Sequence, residues 1–183
     1  MHFDALIAAG MWCSLVNIRG LGLRDPSSNL GIPISHMAPT RKVSTIIFYD
    51  DKKILIQDRR KISKWGEEYG FFGGKIEEGE TPEEALKREM KEELNLNIEN
   101  YALFKHQKRL IPEINMEVDI HLFIAPMPNF NKISVHEGGL ALMSFEDSFK
   151  LKMLSGDVEL IEELQTFLME RQNNLKTSLN KQK

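Results

Sequence analysis

Residues 73–96 read GGKIEEGETPEEALKREMKEELNL, a glycine pair, a carboxylate-rich loop and then a helical pattern. Glu89, Glu92 and Glu93 stand at i, i+3 and i+4. On a 3.6-residue helix they share one face, within about one turn of each other. Like charges at i, i+4 destabilise a helix by a few tenths of a kcal/mol per pair. A hard divalent cation turns that cost into a binding site, because it takes carboxylate oxygens and keeps waters for chemistry.

The helix itself is locally specified. Thr81 sits at the N-cap, Pro82 at the first helical position and Glu84 where a capping box wants its acid. Leu86, Met90 and Leu94 form a second face, rotated from the glutamates, that would pack on a core. Asn95 is placed to end the helix in the left-handed conformation that glycine more often fills.

These residues resemble the box of the Nudix hydrolases, G-x5-E-x7-R-E-U-x-E-E-x-G-U with U a bulky aliphatic residue. Gly74, Glu80, Arg88, Glu89, Met90, Glu92, Glu93 and Leu96 fall in register, and only Asn95 departs, from glycine. The motif covers Gly74 to Leu96 firmly, with looser similarity from about Arg41 to Phe167. The resemblance implies hydrolysis of a nucleoside diphosphate linked to a group X, with Mg²⁺ (or Mn²⁺) and water. The implied fold is α/β: an α/β/α sandwich with a mixed, curved β-sheet between the box helix and a C-terminal helix.

The resemblance also implies a set of site residues. Glu89, Glu92, Glu93 and the Gly73 carbonyl would hold metal, with Glu137 of the His136-Glu137-Gly138-Gly139 loop as a further ligand and Glu117 as its fallback. Either Glu89 or Glu137 would be the base. Arg59, ending a strand, and Lys75, just inside the box, would meet phosphate, since a guanidinium fork suits phosphate oxygens. Asp157 would read the base, although an acid at that position also serves as a plain N-cap. Arg88 is read as orienting a box carboxylate, Glu80 foremost, because a metal site needs its supporting shell as much as its ligands.

The rest of the chain bounds the answer. Its 183 residues suit one domain with appendages. A net charge of −3 argues against a general nucleic-acid binder. Cys13 is the only cysteine, so no intrachain disulfide forms, which fits a reducing, cytoplasmic setting. No stretch is apolar for long enough to span a membrane. Residues 1–40 differ from the remainder, with Gly, Pro and Ser at turn-like density after Gly20. We expect an extension or a vector-derived leader there. His36-Met37 matches a common cloning junction, which makes Met37 a candidate natural start. The domain proper is expected over 41–170, with a polar tail over 171–183 that frays.

Val43 to Tyr49 and Lys53 to Asp58 carry a hairpin signal. Ile98 to Leu110 and Met116 to Ala125 follow as strands, then an apolar strand ending at Phe145 and a long final helix opened by Ser155-Gly156-Asp157. Phe71 and Phe72 are adjacent and so point to opposite faces of a strand. At least one is core, both being core is the favoured reading, and Phe71 is the candidate to line a base pocket. His106 and His121 invite an acid–base role, but lone histidines more often just pack.

The compact domain and the FFGGKIEEGET segment (71–81) most resemble enzymes that cut nucleoside triphosphates, oxidised ones such as 8-oxo-dGTP included, to monophosphate and pyrophosphate. Removal of pyrophosphate from an RNA 5′ end, or cleavage of ADP-ribose or a nucleotide sugar, is the alternative enzyme reading. A non-catalytic nucleotide-binding module is the alternative of another class, disfavoured by the intact box glutamates. The expected partner is a small nucleotide, with no stable nucleic-acid partner and a monomer or homodimer.

Overall fold

The computed structural model describes residues 40–180. The expected extension over residues 1–40 therefore lies, but for Thr40, outside the described residues.

The strands form where β-branched and aromatic residues run. β1 spans Thr40–Tyr49, β2 Lys53–Asp58, β3 Tyr69–Gly70 and β4 Phe72–Lys75. After helix α1 (Pro82–Leu94) come β5 (Ala102–Ile111), β6 (Met116–Pro126) and β7 (Gly139–Ser144). A short helix α2 (Phe145–Ser148) and a long helix α3 (Asp157–Asn180) close the described chain. α3 continues through the first ten residues of the expected tail (171–180), a run with neither proline nor glycine to stop it.

β1 and β2 form the expected hairpin but share only two pairs, Phe48↔Leu55 and Tyr49↔Ile54. Beyond that the strands part. β4 takes over the edge of β1 (Val43↔Lys75 to Ile46↔Phe72), β3 takes the edge of β2, and β7 pairs with the other side of β2. β1 runs parallel to β6 over its whole length, and every other pairing is antiparallel. The sheet is therefore mixed, in the order β3-β2-β1-β6-β5 with β4 and β7 attached to β1 and β2. The split between β1 and β2 opens a cleft in the sheet.

Alternation along the strands feeds two cores. Ile47, Ile54, Ile56, Phe71, Val118, Ile120 and Leu122 face one side, where Leu160, Ile161 and Leu164 of α3 cover them. Ile46, Phe48, Leu55, Phe72 and Phe123 face the other, against Leu86, Met90 and Leu94 of α1. This is the expected α/β/α sandwich. Phe71 and Phe72 are both core, one on each side. Burying Leu86, Met90 and Leu94 fully contributes roughly 1.5–3 kcal/mol each and fixes α1 on the sheet.

Candidate active site

The box helix is held at both ends by its own sequence. Thr81 accepts from the Glu84 amide while the Glu84 carboxylate accepts from the Thr81 amide, at 3.2 and 2.8 Å. At the other end Asn95 takes φ 50°, and its amide donates to the Lys91 carbonyl. The three glutamates are thereby presented at fixed heights along α1.

They do not share one environment. Glu93 is buried, 4 % exposed, although it is a carboxylate on a helix. Its Oε2 accepts the Gly73 amide at 3.0 Å and its Oε1 accepts Gln57 Nε2 at 3.2 Å. Burial, reinforced by the charges of Glu89 and Glu137, pushes Glu93 up to about 7, with the Gly73 amide and Gln57 pulling the other way. Glu89 is also raised by burial, against the opposing pull of Arg88. It packs directly on Gly74, where an added Cβ would collide with its carboxylate. Glu92 is exposed. Glu137 is exposed on the loop before β7, and its charge reaches both Glu89 and Glu93.

Arg88 organises this end of the site. Its Nε and Nη2 meet the two oxygens of Glu80 at 2.7 and 3.0 Å, and Nη2 also donates to the Lys75 carbonyl at 2.9 Å. Nη1 reaches Glu89 at 2.8 Å and Glu92 at 3.2 Å. One guanidinium thus ties the box loop, β4 and the helix together. Glu80 is held at about 2 by that contact and by the Glu77 amide.

The phosphate candidates stand apart from each other. Arg59 lines the cleft, where Nε bonds the buried Glu67 at 3.1 Å and Nη1 donates to Gln57 Oε1 at 2.5 Å. Lys75 points to solvent and pairs with Glu77 at 3.0 Å. Gln57 was not singled out from the sequence, yet it touches Glu93, Arg59 and the Glu137 carbonyl (3.3 Å). Its only sequence signal is a polar residue inside an apolar strand, between Ile56 and Asp58.

Gly73 and Gly74 form one wall of a cleft whose far end holds Arg41, Arg109 and Asp157. Tyr69, Phe71, Ile111, Ile114 and Leu154 line it between. Asp157 opens α3, but its carboxylate receives Arg109 Nη2 rather than a helix amide. Burial pushes Asp157 up to about 6, against the pull of that guanidinium. Among the described residues, Arg109 Nε and Nη1 and Arg41 Nε are buried without an acceptor. The two arginines were missed in the sequence because only the strand register turns them inward. The arrangement offers carboxylates for a cation at one end and unmatched donors for an acceptor-rich planar group at the other.

The box carboxylates fit a divalent ion on their own chemistry. A buried Glu93 beside Glu89 and Glu137 is a like-charge cluster in low dielectric, which a cation compensates. A separate set of metal-type ligands, able to coordinate a divalent metal, is formed by His106, Asp119 and His121 on β5 and β6. No described helix is long and apolar enough to cross a membrane.

Comparison with known proteins agrees with this geometry. The family model of the NUDIX domain matches residues 38–164. The CTP pyrophosphohydrolase of Escherichia coli is 30% identical over 125 residues, covering 66% of this chain and 88% of that protein. The 8-oxo-dGTP diphosphatase of E. coli is 35% identical over 68 residues, 37% of this chain, and the match spans about half (53%) of that relative's length. Among solved structures, the E. coli ORF135 protein superposes with a TM-score of 0.58 at 25% identity, covering 73% of this chain and 94% of that one.

Proposed function

Since the chain belongs to the Nudix family, we propose that it is a nucleotide pyrophosphohydrolase that cuts a nucleoside triphosphate, ordinary or oxidised, to monophosphate and pyrophosphate. One observation carries this reading. Gly73 and Gly74, against which Glu93 and Glu89 are held, line the same cleft as Arg109 and Arg41, so a base at the arginine end and phosphates at the glycine end fit a single molecule. The relatives named for CTP and for 8-oxo-dGTP support the triphosphate class and leave the base open.

Glu89, Glu92, Glu93 and Glu137, with the Gly73 carbonyl, would hold Mg²⁺. When bound, that ion would offset phosphate charge and lower the pKa of a bound water. The chain's own part follows from the hydrogen bonds. Glu93 has one oxygen engaged by the Gly73 amide and the other by Gln57, so it is a fixed ligand rather than a mobile base. Glu89 and Glu137 remain to take the proton of the attacking water. The water oxygen bonds to phosphorus, the anhydride P–O bond breaks, and pyrophosphate leaves with the electron pair. Arg59 holds its guanidinium toward the cleft through Glu67 and offsets charge on the phosphates. The nucleotide pool of a reducing cytoplasm is the setting this implies, with free nucleotides rather than nucleic acid as substrate.

The test is a Mg²⁺-dependent panel of dGTP, 8-oxo-dGTP, CTP, dCTP and ATP against ADP-ribose, a nucleotide sugar and 5′-triphosphate RNA, with products identified. Monophosphate and pyrophosphate from a triphosphate, lost in Glu93→Gln, is the expected result. Turnover of ADP-ribose or RNA alone would overturn the triphosphate reading. Tight nucleotide binding with no turnover of any compound would overturn the enzymatic one.

A further inference from the structure

β5 and β6 pair with His106 opposite His121 and Lys108 opposite Asp119. These four residues share the α1 face of the sheet, since Asp119 and His121 alternate with Val118, Ile120 and Leu122 of the opposite core. α1 covers β1 and β4 there, with the Pro82 carbonyl of its first turn accepting from Ser44 Oγ at 2.6 Å. The β5–β6 edge lies beside that turn and stays open enough for the His106 side chain to be 49% exposed.

We propose that His106, Asp119 and His121 form a second metal site, for a Zn²⁺-type transition ion, separate from the box carboxylates. His106 Nε2 lies 2.6 Å from Asp119 Oδ1. The two imidazoles are stacked, with ring centroids 4.0 Å apart. One ligand atom from each of the three residues falls within 4.8 Å of the others. A tetrahedral Zn²⁺ site puts its ligand atoms about 3.3 Å apart, from bonds of about 2.0–2.1 Å. Rotation of the exposed His106 supplies the closure.

A His–Asp hydrogen bond by itself accounts for His106 and Asp119 but not for the second ring. Among the described residues His121 Nδ1 is buried and makes no hydrogen bond of full geometry, the ring having only a looser approach to the Val43 backbone, which is uncommon for a buried polar atom. Lys108 Nζ stands 4.0 Å from Asp119 Oδ2, beyond hydrogen-bond range, so that oxygen remains free to ligate. Two imidazoles and one carboxylate suit Zn²⁺, Ni²⁺ or Cu²⁺, whereas Mg²⁺ prefers oxygen alone. Ser44 pairs with His121 on one side and with Gly74 on the other. The cluster is thus two strand spacings, about 10 Å, from the glycine on which Glu89 packs. Bound there, the ion would clamp β5 to β6.

The experiment uses the full chain with millimolar Mg²⁺ present throughout, so that hard-ion sites are filled. Zn²⁺ is titrated calorimetrically into wild type, His106→Gln and Glu93→Gln. The expected result is one Zn²⁺ per chain in wild type and Glu93→Gln, with affinity lowered by more than about tenfold in His106→Gln. Imidazole nitrogen resonances of the wild type should shift at His106 and His121 while His136, whose Nδ1 lies 3.0 Å from the Glu92 carbonyl, stays put. Unchanged affinity in His106→Gln, loss in Glu93→Gln, movement of His136 alone, or no uptake of micromolar Zn²⁺ would each overturn the site. The nitrogen resonances decide even if a variant fails to fold. Failure here leaves triphosphate hydrolysis untouched, since that depends on the box.

Discussion

Gln57 Nε2 donates to Glu93 Oε1 at 3.2 Å, while Gln57 Oε1 accepts from Arg59 at 2.5 Å. One buried amide therefore couples the deepest box carboxylate to the arginine on the opposite lip of the cleft. Supporting partners of metal-site carboxylates are worth roughly 10–100-fold in affinity or activity. Gln57→Met keeps the volume and removes both bonds. We expect Mg²⁺-dependent kcat to fall by about that factor with the fold intact. A variant with unchanged kcat and a normal melting curve would show that Glu93 needs no such support.

Arg88 makes a two-point contact with Glu80 and also reaches Glu89, Glu92 and the Lys75 carbonyl. A lysine has one nitrogen and no fork, so it cannot hold the loop and the helix together. Arg88→Lys should retain charge yet lower kcat more than about tenfold, and Glu80→Gln should act in the same direction. Steady-state kinetics on both variants checks this. Full activity in Arg88→Lys would mean that charge alone suffices.

The helix half of the site was legible because its instructions are local. Capping box, Pro82, the Leu86/Met90/Leu94 stripe and the left-handed Asn95 all act within one or two turns. The cleft half was not. Gln57 meets Glu93 across 36 positions, and Arg109 meets Asp157 across 48. Arg109 faces the cleft only because β5 slips register between Leu103 and Lys105. Before the slip Ala102 packs toward the α3 side, and after it the odd-numbered Arg109 and Ile111 do. No periodicity in the sequence places such a bulge. Asp157 reads as an N-cap by position, and its ion pair depends on that same register.

The elevated Glu93 gives a pH dependence with a definite sign. Its ordinary value is 4.5 and the folded protein holds it at about 7. Between those values the unfolded chain releases a proton that the folded chain keeps, so metal-free stability falls as pH rises through that window. The slope is at most about 1.4 kcal/mol per pH unit. Mg²⁺ competes with the proton, so the rise in Tm on adding millimolar Mg²⁺ should be small at pH 6 and larger at pH 8. Glu93→Gln should shrink the difference to what the raised Glu89 supplies. Equal Mg²⁺ increments at both pH values in wild type would sink this assignment.

The Arg109–Asp157 pair should break asymmetrically. Both side chains are largely buried, 15% and 11% exposed. Removing one partner of such a pair costs about 3–5 kcal/mol when the remaining charge has no escape. Asp157→Ala strands a guanidinium that stays protonated at any working pH, so it should approach that full cost. Arg109→Ala strands a carboxyl that burial already pushes up to about 6, and it can neutralise by taking a proton. The Arg109→Ala loss should therefore be the smaller of the two and should shrink as pH falls toward about 6, because without the guanidinium the carboxyl takes its proton at a still higher pH. The same variant removes two buried, unmatched donors of a residue that lines the cleft, so KM for the preferred nucleotide should rise while kcat changes little. Urea unfolding at pH 5 and pH 7.5 separates the cases. Equal losses in the two variants, or an Arg109→Ala loss that ignores pH, would show that the cleft does not hold the carboxylate and guanidinium as a buried pair.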